Sequence, residues 1–171
     1  MAFERVRVLG IDPGSQRTGF GVLDAVGPKL TYVASGVIRS SEGEFAVRLC
    51  EIFRGVREIA AEYRPQEIAI ERVFVNRNVD SALKLGQARG AAICGTADVG
   101  ARVFEYAPRQ IKLAVVGAGG ADKTQVQMMI RNLLRLGERV AADAADALAA
   151  AVCHAMRQGA RSATGRATGR A

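Results

Sequence analysis

Three short apolar runs, 5–12, 18–26 and 30–39, open the chain, broken by Asp12-Pro13-Gly14-Ser15 and by Gly27-Pro28. Both breaks are turn chemistry, and the pattern predicts three strands in an antiparallel meander. From Glu44 to Tyr63 the period changes: Phe45, Leu49, Ile52, Phe53, Val56, Ile59, Ala60 and Tyr63 recur at helical spacing, with charges on the other face and Pro65 as the stop. A buried strand over 67–71 follows, then an irregular stretch from Arg72 to Asn78. A second helix runs from about Asp80 to Ala97, with Asn78 or Asp80 as cap, and strand 102–106 comes next. Pro108 opens a short helix through Val116, and Gly117-Ala118-Gly119-Gly120 breaks the chain. Further helices cover about Asp122 to Leu136 and Ala142 to Met156. Strands, then helix-strand-helix-strand, then helices describe an α/β domain: a mixed five-stranded sheet with helices on both faces.

Against this pattern four carboxylates stand out, because each lies at the end of an apolar segment. Asp12 closes Val6-Arg7-Val8-Leu9-Gly10-Ile11-Asp12, and Glu71 closes Ile68-Ala69-Ile70-Glu71, so both sit on strand ends. Asp143 and Asp146 are three residues apart and share a helix face. Taken singly, Asp12 is equally a turn residue, and Asp143 with Asp146 equally a helix start favoured by the dipole. Taken together they describe one acidic site. Unpaired acids gathered in a partly dry cleft cost several kcal/mol unless a cation neutralises them, and carboxylate oxygens suit Mg²⁺ or Mn²⁺.

The 171 residues suffice for one domain with a proper core, set at 1–158, followed by a basic tail over 159–171 that has nothing apolar to bury and is expected to be disordered. The net charge is +7, but Arg157, Arg161, Arg166 and Arg170 supply four of those charges, leaving the body at +3. Its distribution is more telling. Residues 42–71 hold seven acids against four arginines, whereas Arg72, Arg77, Lys84 and Arg89 face only Asp80 over 72–89. A basic face thus begins beside Glu71 and suits an anionic partner. Arg109, Lys112 and Lys123 flank the glycine loop and suit phosphates. Cys50, Cys94 and Cys153 are widely spaced, which supports neither a disulfide framework nor a zinc site. With no apolar run long enough to span a membrane, a cytoplasmic protein is expected.

Other chemistries find less support. His154, the only histidine, lies eleven residues beyond Asp143, roughly 16 Å along a helix, and reads as a surface residue or one that supports the site indirectly. Neither Ser15 nor Ser81 has a partner histidine. Residues 117–123 lack the strand and the Gly-Lys-Thr junction of a P-loop. Phe74, three residues past Glu71, fits core packing and also fits stacking on a nucleic-acid base.

Gly-Ile-Asp-Pro-Gly-Ser at 10–15, Ala-Ile-Glu-Arg-Val-Phe at 69–74, Asp80-Ser-Ala-Leu-Lys-Leu-Gly-Gln-Ala-Arg-Gly90 and Asp-Ala-Ala-Asp-Ala-Leu at 143–148 resemble the RuvC family of bacterial Holliday-junction resolvases in both order and spacing. The resemblance runs from about Val8 to His154. It implies a ribonuclease-H-like fold, a homodimer, and paired symmetric nicks in a four-way DNA junction during recombination and repair. Two Mg²⁺ ions per subunit, replaceable by Mn²⁺, are implied, held by Asp12, Glu71, Asp143 and Asp146. Phe74 matches the family's base-stacking aromatic, and Lys112 and Lys123 its functional lysines, with Lys123 on the scissile phosphate. Leu113 and Ala118 stand where relatives often place a polar or basic residue. The RuvA-RuvB branch-migration complex is the implied partner. Three other readings compete. Another ribonuclease-H-like nuclease shares the acids. A sugar-kinase or actin-like ATPase shares the Gly-Ile-Asp-x-Gly turn but needs two such domains. A mere junction binder has no use for four carboxylates that repel phosphate.

Overall fold

The computed structural model describes residues 3–73, 78–137 and 140–167, with side chains through 159. Strands β1 (Arg5–Asp12), β2 (Arg17–Val26) and β3 (Lys29–Arg39) form the expected meander, and β4 (Glu67–Glu71) and β5 (Arg102–Tyr106) extend it to the order β3-β2-β1-β4-β5. Pairing is antiparallel for β1 with β2 and β2 with β3, and parallel for β1 with β4 and β4 with β5. Among the described residues five helices cover the sheet: α1 (Phe45–Tyr63), α2 (Val79–Cys94), α3 (Pro108–Val116), α4 (Lys123–Leu134) and α5 (Ala142–Ala167). A single 3-10 turn at Ala97–Val99 follows α2, so this helix ends earlier than its apolar pattern suggests.

Strand alternation divides the core in two. Leu9, Ile11, Val22, Ile68 and Ile70 point to one face and pack with Ile52 and Val56 of α1 and Ala88 and Ala92 of α2. Val8, Leu23, Ala69 and Tyr106 point to the other and pack with α3, α4 and the alanine-rich α5. Asn78 caps α2 by accepting from the Ser81 amide at 3.1 Å, and Asp122 caps α4 by accepting from the Gln125 amide at 2.9 Å.

Helix α5 lies directly on the meander because glycines leave space for it. A Cβ at Gly10 would overlap the Ala147 carbonyl, one at Gly19 the Asp143 carbonyl, and one at Gly21 the Leu148 side chain. Gly10 pairs with Gly21 and Gly19 with Asp12, so the helix crosses the sheet beside the end of β1. Its α-helical backbone continues to Ala167, past Met156 and into the stretch expected to be irregular. Alanine and arginine are good helix formers, and extending an existing helix costs far less than starting one.

Candidate active site

Asp12 and Glu71 come together through strand register. Ile11 pairs with Ile70 across the parallel β1–β4 ladder and both face α1 and α2, so the next residue on each strand faces α5. Asp143 lies in the first turn of α5 and Asp146 about one turn on, where the helix dipole favours negative charge. Asp12, Glu71 and Asp146 line one cleft of about 340 Å³, together with Lys112 of α3 and Lys123 of α4. Pro108, Ile111, Val126 and Ala149 form its apolar walls.

The cleft's electrostatics follow from this crowding. Burial first, then the charges of Asp146, Glu71 and Asp143, push Asp12 up to about 7, against the opposing pull of Lys123. Glu71 is raised as well, by burial and by Asp146, with Lys123 and Lys112 opposing. The Lys123 ammonium lies 2.5 Å from Asp146 Oδ2, and this hydrogen bond raises the lysine's pKa. Gln127 Nε2 donates to the other Asp146 oxygen at 3.3 Å. Asp143 is turned to Arg17, whose Nε lies 2.6 Å from Oδ2.

Among the described residues no three Asp, Glu, His or Cys side chains stand close enough to form a ready metal cage. Asp146, Glu71 and Asp143 are near enough for their charges to raise Asp12, yet Lys123 draws Asp146 aside and Arg17 holds Asp143. The donor set nevertheless fits a hard divalent cation: the carboxylates are half-buried, mutually repelling and supplied by three different elements. A cation would offset the burial, and relieve the repulsion, that together hold Asp12 partly protonated near neutral pH.

Of the basic residues expected around this site, Lys112 and Lys123 line the cleft. Arg72 and Arg89 both pair with Glu105 of β5, at 3.5 Å and 2.5 Å. Lys84 pairs with Asp80 on the exposed face of α2, and Arg109 lies against Gly119 of the glycine loop. Phe74 and Arg77 lie outside the described residues. Arg17 and Gln127 escaped the sequence reading, since nothing local ties either to acids 126 and 19 residues away. His154, expected at the surface or in indirect support of the site, is instead fully buried and away from it. Its Nε2 meets Glu67 Oε2 at 2.6 Å and its Nδ1 the Tyr106 hydroxyl at 2.6 Å, at the opposite end of β4 from Glu71.

Comparison with known proteins supplies the frame for this geometry. The family model described as crossover junction endodeoxyribonuclease RuvC matches residues 8–154, a span that holds all four acids and both cleft lysines. The chain belongs to the RuvC family. RuvC relatives from Pseudoalteromonas translucida and Marinobacter nauticus are each 57% identical over 148 residues, covering 86% of this chain and 85% of the relative. Thermus thermophilus RuvC, solved in complex with Holliday junction substrate, superposes with a TM-score of 0.83 at 34% identity, over 91% of this chain and 96% of that one. A yeast mitochondrial Holliday junction resolvase, at 15% identity and a TM-score of 0.62, shares the fold. The expected mixed sheet and ribonuclease-H-like architecture are therefore those of the RuvC family. Among the described residues no helix is long and apolar enough to cross a membrane.

Proposed function

We infer that this chain is a crossover junction endodeoxyribonuclease that resolves four-way DNA junctions. One observation carries the reading: in a chain of the RuvC family, Asp12, Glu71 and Asp146 from three elements face a single cleft flanked by Lys112 and Lys123. Asp12, Glu71 and Asp146 would hold the divalent metal that the family implies, with Asp143 joining them once Arg17 releases it. Two Mg²⁺ ions per subunit, or Mn²⁺ in their place, would supply the charge that activates a water and stabilises the leaving 3′ oxygen. Lys123 balances Asp146 before substrate arrives and turns to the scissile phosphate afterwards. Lys112 supports the same phosphate. The products are nicks with 5′-phosphate and 3′-hydroxyl ends.

Junction recognition extends outward from the cleft. Phe74 stacks on a base at the opened crossover, with Arg72, Arg77, Lys84 and Arg109 on neighbouring phosphates. The tail arginines beyond Gln158 add salt-sensitive, sequence-independent affinity. One site cuts one strand, so a paired cut needs a two-fold dimer. The exposed face of α2 supports this assembly: Val79 is 61% and Leu83 62% exposed, and a Cβ at Gly86 or Gly90 would meet nothing within 4 Å. The protein acts in the cytoplasm, with the RuvA-RuvB branch-migration complex as its partner.

The deciding experiment compares a synthetic four-way junction with a linear duplex of the same sequence, each with Mg²⁺. Symmetric paired nicks in the junction and a largely intact duplex are expected. Efficient nicking of the duplex, or of an RNA-DNA hybrid, would keep the nuclease and overturn the resolvase.

A further inference from the structure

Arg89 belongs to the basic face that the sequence assigns to DNA, yet its surroundings argue for another task. Its side chain is only 18% exposed. Nε donates to the Glu71 carbonyl at 3.2 Å, and Nη2 donates to Glu105 Oε1 at 2.5 Å. The other Glu105 oxygen faces Arg72 Nε at 3.5 Å, and Glu105 stands opposite Ile70 in the β4–β5 register. A planar guanidinium held on two sides is fixed in direction, and a phosphate approaching it would meet the Glu105 carboxylate already in place.

The fixed point is the last residue of β4. The ladder ends there, with the Arg72 amide on the Tyr106 carbonyl at 2.8 Å, and Arg89 takes up the Glu71 carbonyl from α2. We propose that Arg89 is a positioning residue for the reaction: braced by Glu105, it anchors the Glu71 backbone from α2 and so directs the Glu71 carboxylate into the metal cleft. The inference rests on the metal reading above. A misdirected Glu71 weakens the metal site while leaving the DNA-binding surface intact.

Three variants test it: Arg89→Ala, Arg89→Lys and Glu105→Gln. Two readouts are needed, Mn²⁺ binding to the DNA-free protein by calorimetry and junction affinity by gel shift in EDTA. All three should weaken Mn²⁺ binding, by about 10–100-fold for Arg89→Ala, as is usual when a supporting hydrogen bond behind a ligand is lost. Junction affinity should stay within about twofold, because a residue that touches no phosphate contributes no counterion release. The lysine should resemble the alanine, since it keeps the charge and loses the fork. Glu105→Gln guards against simple misfolding, because Glu105 is 43% exposed and the change removes only a brace. Weakened, less salt-dependent junction binding at unchanged Mn²⁺ affinity in Arg89→Ala would make Arg89 a DNA contact and overturn the proposal, as would a Glu105→Gln protein that binds Mn²⁺ like wild type. Wild-type Mn²⁺ binding indifferent to Glu71→Gln would instead overturn the metal reading, and the positioning role with it.

Discussion

Strand β4 carries two carboxylates on one face, Glu67 at its start and Glu71 at its end, and the protein treats them in opposite ways. Glu67 is 5% exposed and fully answered: Arg102 Nη2 reaches one oxygen at 2.6 Å and His154 Nε2 the other at 2.6 Å. Tyr106 closes this network on His154 Nδ1, and Phe104 lies against the imidazole with ring centroids 4.5 Å apart. Glu71 meets burial and the charge of Asp146, with lysines near it, and its pKa rises. A buried acid supplied with donors ties elements together, whereas one left among other acids disfavours its own charged form and suits a cation. The same strand therefore serves cohesion at one end and chemistry at the other.

Exchanging the two roles gives the largest expected effects. Glu71→Gln, and likewise Asp12→Asn, should lower the Mg²⁺-dependent junction nicking rate by at least about a hundredfold, since loss of a hydrogen bond behind a metal ligand already costs about 10–100-fold. Junction affinity in gel shifts should hold or tighten, because a charge that repels phosphate is gone. Wild-type nicking in either variant would remove that acid from the mechanism. Glu67→Ala should show the reverse pattern. By urea unfolding it should lose about 3 kcal/mol, because Arg102 and the buried His154 lose their partner. Its nicking rate per folded molecule should remain near wild type, and a stable but inactive Glu67→Ala would erase the contrast between the strand ends.

The Glu71 half of this contrast was readable from the chain, and the Glu67 half was not, for a physical reason. Strand ends, helix starts and turn residues are local, so the elements and the acids at 12, 71, 143 and 146 followed from pattern. Their grouping into one acidic site came from the same pattern, and the resemblance to RuvC agreed with it. His154 was misjudged because a lone histidine on an apolar helix gives no sign of its partners: Glu67 and Tyr106 lie 87 and 48 residues away. Arg17 and Arg89 carry the same lesson, since an arginine's donors are satisfied by whatever the fold brings near. Gly10, Gly19 and Gly21 make room for the α5 backbone, and so for Asp143 and Asp146, a role that no local pattern in the chain announces.

That role makes Gly19 the next point at which to break the site without touching an acid. Gly19→Ala would drive its methyl into the Asp143 carbonyl, a backbone atom that cannot swing aside. The variant should lose about 1–3 kcal/mol as α5 lifts from the sheet, and its metal-dependent nicking should fall with it. Full stability and full nicking would mean that the helix slides over the sheet without disturbing the carboxylates.

The smallest effect sharpens the comparison from the acid end, through pH. Burial and neighbouring carboxylates raise Asp12 from 3.8 to about 7, so the folded protein holds this proton more tightly than the unfolded chain does. Between about pH 4 and 7 the folded state keeps a proton that the unfolded state has lost, and stability must fall as pH rises through that window, levelling off above 7. Asp12→Asn removes this fall. In the absence of divalent metal the variant should therefore match wild type near pH 4 and exceed it at pH 8. A gain of about 1–2 kcal/mol is expected, well below the full value of the shift because the cleft opens to solvent. Thermal melts at pH 4, 6 and 8 read it directly. Adding Mg²⁺ at pH 8 should raise the wild-type Tm more than that of the variant and narrow the gap. A gap that stays constant across pH would show that Asp12 holds its proton no more tightly in the fold than in the unfolded chain, and crowding among acids would no longer set this end of the sheet apart.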